Sequence, residues 1–151
     1  MGTLWNATDR EALIKRVEKL DASNTRQWGT MTVAQMLTHL IETSKITFNE
    51  KPVEVIPGKN PPGFIKWLII FSPLPWPKGK LPTAKEYLAD SYDEQRIEEY
   101  KQEFIASLQR FALSPETLQW GKHAFFVKLS AKEWGALTYK HTDHHLRQFG
   151  C

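Results

Sequence analysis

Only one cysteine occurs in the 151 residues, and it is the last of them, Cys151. A lone thiol closes no internal disulfide, so packing must hold the fold, and such usage suits a reducing cytoplasm. Long apolar runs are also missing. The longest, Phe64 to Phe71, is interrupted by Lys66 and falls far short of the roughly 20 residues of a membrane-spanning helix. The opening MGTLWNATDREAL lacks a basic start followed by an apolar stretch, so no secretory leader is expected. Charge of one sign is scarce: 20 basic against 17 acidic residues leave a net +3, too weak a bias to call for nucleic acid. No strand pattern is convincing, since Phe125–Leu129 is too short to support a sheet. These absences leave one all-α domain spanning 1–151, expected in the cytoplasm.

Four segments carry helix signals. Thr8 with Glu11 has capping-box spacing and predicts a helix to about Leu20, with Leu13, Val17 and Leu20 as its apolar edge. Thr32 with Gln35 repeats the spacing, and Val33, Met36, Leu37, Leu40, Ser44 and Phe48 follow at helical intervals. A third helix is expected over Asp93–Leu113, where acidic residues suit the positive end of the helix dipole. Its stripe is Ile97, Tyr100, Phe104, Ile105, Leu108 and Phe111. The fourth is capped by Ser130 with Glu133 and stops at Gly150.

Between the second and third helices the composition changes. Eight of the nine prolines lie from Pro52 to Pro82, the exception being Pro115. Repeated proline breaks helix and strand alike, so an irregular crossover is expected, with room for a short helix at Phe64–Phe71. Four helices with one long crossover make a four-helix bundle the natural architecture.

The chemistry concentrates in the last helix, EWGALTYKHTDHHLRQFG. Advancing about 100° per residue from Trp134 places Leu137, Thr138, His141, His145, Gln148 and Phe149 on one face. His141 and His145 lie one turn apart, with Cβ atoms roughly 6 Å from each other, so two imidazoles can reach one ion. A single inward histidine is ordinarily just hydrogen-bonded in the core. Two without a common partner would be costly to bury, and a metal satisfies both. His144 lies on the flank of this stripe and reads as a flank or surface residue, and Asp143 points away as a solvated acid. Gln148 either orients a ligand through its amide or bonds a neighbouring helix. A third ligand must come from elsewhere. His39, in AQMLTHLIE, sits off the centre of its stripe and by spacing alone belongs to a flank or the surface; His123 reads as an exposed loop histidine.

The segments WGTMTVAQMLTHL and LSAKEWGALTYKHTDHHLRQFG, on either side of the proline-rich middle, resemble the DinB-like (YfiT-like) metalloenzyme superfamily, in a branch of unassigned function. The resemblance covers essentially the whole chain. It implies a four-helix bundle with a long second crossover. It also implies a metal held by one histidine of the second helix and two of the fourth, which here are His39, His141 and His145. The family's HRGQ-like ending corresponds to His145, Leu146, Arg147 and Gln148, with leucine where arginine is usual. Three neutral histidines without a thiolate suit a divalent ion, zinc or nickel, and the affinity order also allows copper. Three protein ligands leave a coordination position open, as in catalytic zinc sites.

Characterised members of the superfamily include thiol-dependent transferases and isomerases, and many are dimers. An open divalent centre suits a metal-dependent hydrolase, and the resemblance adds a thiol transferase, either acting on a small-molecule substrate. Apolar surface outside a four-helix core suits a homodimer. Trp67 and Trp76 would wall the pocket or pack across the bundle end. A non-catalytic metal-containing binding or stress-response module is the alternative. Peripheral membrane attachment through FIKWLIIF, with five lysines and no acid from Lys59 to Lys85, is a third reading. Burial of that run in the core or a subunit interface is preferred to it.

Overall fold

The first helix, α1 (Ala7–Glu18), begins earlier than the Thr8 spacing suggests, because Asn6 takes the cap. In the computed structural model, which describes residues 2–58, 60–79 and 83–151, the Asn6 side chain accepts from the Asp9 amide at 3.0 Å. Asparagine is at least as good an N-cap as threonine, and Thr8 is left inside the first turn. The other two capping boxes form as expected. Thr32 accepts from the Gln35 amide at 3.2 Å and donates its own amide to the Gln35 side chain at 2.9 Å, opening α2 (Val33–Thr47).

The crossover contains α3 (Gly63–Phe71). The third expected helix is helical in pieces: a 3-10 turn at Glu94–Arg96 capped by Asp93, then α4 (Ile97–Gln109), then a second 3-10 turn at Arg110–Ala112. Ser130 and Glu133 close the box that starts α5 (Ala131–Gln148), at 3.3 and 2.7 Å. Among the described residues there are no strands, only an isolated bridge between His123 and Val127. None of their helices is long and apolar enough to cross a membrane.

Helix contacts run in a closed circuit from α1 to α4, α2, α5 and back to α1. The predicted stripes fill its interior: Leu13, Val17 and Leu20, then Met36, Leu37 and Leu40, then Phe104 and Leu108, are all within 2% of complete burial. α2 is buried around nearly its whole circumference. Its hydroxyl residues allow this because Thr38, Thr43, Ser44 and Thr47 each return a hydrogen bond to the carbonyl four residues earlier, at 2.8–3.0 Å.

α3 lies outside this circuit, on α5. The buried Lys140 ammonium donates to the carbonyls of Ile69 and Ser72, at 2.9 and 2.8 Å. These are at the C-terminal end of α3, where a cation also meets the negative end of the helix dipole. Lys66 adds an ion pair with Glu133 at 2.7 Å. The FIKWLIIF run is not core: Ile70 is buried, whereas Phe64 and Trp67 are 70% and 53% exposed, which leaves a subunit interface of the two burials preferred from its sequence. A nine-residue helix on the rim of α5 can turn only one edge inward. Lys59, Lys80 and Pro82 lie outside the described residues.

The chain between α4 and α5 returns across the end of α2. Gly121 donates to the Thr47 carbonyl at 2.9 Å, and a Cβ at this position would stand 1.9 Å from the Ile46 carbonyl oxygen. Gly121→Ala is therefore expected to cost about 1–3 kcal/mol through forced displacement of backbone, read as a lowered urea midpoint with unchanged slope.

Candidate metal centre

His39 is on α2, and His141 and His145 are one turn apart on α5. The helix circuit brings these two helices side by side, and the three ligand nitrogens lie within 4.8 Å of one another. His141 Nε2 stands 3.1 Å from His39 Nε2 and 3.0 Å from His145 Nε2. His39 is 4% exposed, so its spacing-based placement on a flank or the surface is corrected. The single-helix stripe misjudged it because α2 has two buried edges, one toward the core and one toward α5.

The tautomers of two of these rings follow from their partners. His39 Nδ1 is 2.7 Å from the carbonyl oxygen of Tyr87, in the 3-10 turn Lys85–Tyr87. A carbonyl only accepts, so Nδ1 carries the proton and Nε2 keeps its lone pair. His145 Nδ1 is 2.9 Å from Gln148 Oε1. The Gln148 amide is oriented by its nitrogen, which donates to the Trp28 carbonyl at 2.9 Å, so its oxygen must face the histidine. His145 therefore also donates from Nδ1 and leaves Nε2 bare. Of the two functions weighed for Gln148, orienting a histidine of the triad is realised, while its other bond goes to the segment before α2 and not to a neighbouring helix.

Two lone pairs thus point at the third Nε2. A single proton on His141 serves only one of them and leaves the other facing nitrogen with no donor, a costly arrangement in a buried site. A cation satisfies all three. Tetrahedral zinc at about 2.0–2.1 Å from each nitrogen would separate the donors by about 3.3 Å, close to the spacing found. The donor set fits a metal ion. Burial pushes the pKa of all three below that of a free imidazole, at His145 to about 3. The neighbouring histidines add to this at His141 and His145. All three are neutral at pH 7, the state a ligand needs.

The surroundings correct two further expectations and sharpen a third. His144 is half-buried on the flank of the stripe, with its ring 5.4 Å from that of His145 and within 5.9 Å of both Trp28 and Trp76. Asp143 is paired, with Arg16 at 2.7 Å and Arg147 at 2.9 Å, because α1 packs on that side of α5. His123 is packed rather than exposed, with Phe126 and Trp134 rings 4.7 and 5.7 Å away, and burial takes its pKa down to about 4. Its Nδ1 accepts from the Phe125 amide at 3.1 Å. Leu146 is fully buried in the core.

A pocket of about 740 Å³ lies beside the triad, bounded by Trp28, Leu74, Trp76, Lys78, His144 and Arg147 among others. Trp76 stands between pocket and triad, its ring 5.8 Å from His141 and 5.9 Å from His144. Trp67 faces solvent instead. The pocket has no one-residue signature in the sequence: Trp28, Trp76 and His144 come from three separate stretches, and only the packing of the crossover on α5 joins them.

Gly29, at φ +76°, lets the backbone pass Gln148, since a Cβ there would stand 2.6 Å from its amide nitrogen. Gln148→Leu is expected to weaken metal affinity by about 10–100-fold, and Gly29→Ala to weaken it in the same direction, as measured by chelator competition. The metal-free protein should also lose stability on acidification. The folded-state pKa values of the histidines lie below the unfolded value of about 6.5, so the unfolded chain takes up protons first. The stabilisation is present above pH 6.5 and is lost as pH falls toward the folded values, about 4 for His123 and about 3 for His145. Urea titrations from pH 7.5 downward check the sign.

Comparisons of the chain with protein families, curated proteins and solved structures return no match.

Proposed function

We propose that this protein is a metal-dependent enzyme of the DinB-like type, with one divalent ion, zinc or nickel, held by His39, His141 and His145. The observation that carries the reading is the convergence of three Nε2 atoms, two of them stripped of their protons by the Tyr87 carbonyl and the Gln148 amide. The contact circuit of α1, α4, α2 and α5, with the long crossover between α2 and α4, supports the four-helix bundle that the resemblance implies. A fourth protein ligand would favour a non-catalytic centre, but the cluster found among the described residues comprises the three histidines alone. With three protein ligands, the centre keeps a coordination position for a substrate or water.

When bound, a divalent ion with an open position acts as a Lewis acid, polarising a substrate oxygen or acidifying a thiol or water. The chain's own groups supply the rest. Tyr87 and Gln148 hold the ligand rings in register, and burial keeps them unprotonated. Trp76 screens the His141 side from bulk water. We assign the reaction class as hydrolysis or thiol transfer on a small molecule.

Elemental analysis of purified, tag-free protein tests the centre. About one zinc or nickel per chain is expected in the wild type, lost in His39→Ala and in His145→Ala with the helical circular dichroism retained. No stoichiometric metal after reconstitution of a folded wild type would refute it. Turnover of activated esters, and conjugation of a small thiol to an electrophile, then separate the two reaction classes. The activity that is real should vanish on chelation and return with the metal.

A further inference from the structure

The pocket beside the triad has largely apolar walls and more basic than acidic side chains, with Lys78, Lys140 and Arg147 against Asp143. Its apolar surface comes from the indoles of Trp28 and Trp76 and from Leu74, a leucine 65% exposed at the pocket rim. Its titratable groups are not equally free. Asp143 is engaged by Arg16 and Arg147, at 2.7 and 2.9 Å. The Lys140 ammonium is taken up by two carbonyls of the crossover. Lys78 remains, with its ammonium 4.6 Å above the Trp28 ring and no carboxylate partner among the described residues. A cation resting on an indole face has an attractive seat but still lacks a counter-ion.

We propose that this pocket takes a small organic anion with a flat apolar body, the body lying against Trp28 and Trp76 and the anionic group at Lys78. A neutral ligand of the same shape would leave the lysine unpaired, and a cation would meet like charge. Trp76 and His144 form the wall between this pocket and the triad. The ligand's role as a substrate rests on the catalytic reading above; its binding does not.

The test is calorimetric titration of the full-length protein, zinc-loaded and metal-stripped, with naphthalene-2-sulfonate and with uncharged 2-naphthylmethanol. The sulfonate is expected to bind about tenfold more tightly in both forms, the worth of one charge-assisted hydrogen bond. In Lys78→Met, which keeps the stem and removes the charge, the preference should disappear while binding of the alcohol and metal content stay unchanged. Added salt should weaken the sulfonate alone. Equal affinity for the two probes, no binding of either, or an undiminished preference in Lys78→Met overturns the proposal. So does a preference that vanishes on stripping zinc, because the anion would then sit on the ion. Absence of metal from the wild type would sink the catalytic reading without changing the sulfonate titration, so the two failures read separately.

Discussion

A histidine buried on a helix can present either nitrogen, and the hydrogen bond on one side decides what the other can do. In this chain the Tyr87 carbonyl and the Gln148 amide oxygen each draw a proton to Nδ1. The remaining lone pairs are turned toward a third imidazole with no complement of donors. The rest of the architecture around α2 and α5 is arranged by this condition. The Lys85–Tyr87 turn must pack on α2 to bring its carbonyl to His39, and the chain before α2 must pass Gln148 at Gly29.

Burial serves two ends at this site. It removes water that would otherwise satisfy the bare nitrogens, and it keeps the rings neutral across the physiological range. The same burial is built cheaply on α2, where threonine and serine hydroxyls bond back to their own helix and leave no unsatisfied group beside His39. On α5 the work is divided by face. His141 and His145 turn to α2, Lys140 turns to the crossover, and Asp143 turns to Arg16 of α1.

Much of this is legible in the sequence. The capping boxes at Thr32 and Ser130 and the apolar stripes mark the four helices of the circuit, because caps and periodicity are local properties. The pairing of His141 with His145 is local too, being set by one turn of helix. His39 is not: its wheel position describes one edge of α2, and its burial depends on a second helix about a hundred residues later in the chain. His123 fails for the same reason, since its aromatic neighbours Phe126 and Trp134 close around it through a turn held at Val127 in a backbone region that β-branched residues seldom adopt. Asn6 outdid Thr8 through a bond that spacing patterns do not rank. Core burial of α3 could not be decided from its sequence, because an apolar run reveals its hydrophobicity but not how many sides a neighbour covers.

Trp28 belongs to two structures at once. Its carbonyl accepts the bond that fixes Gln148, and through it His145, while its indole forms a wall of the pocket under Lys78. A molecule that presses on the indole therefore acts on a residue whose backbone sets the tautomer of a triad histidine. Thermodynamic reciprocity makes the traffic two-way: by whatever factor an occupant of the pocket changes affinity at the triad, an ion at the triad changes affinity for that occupant.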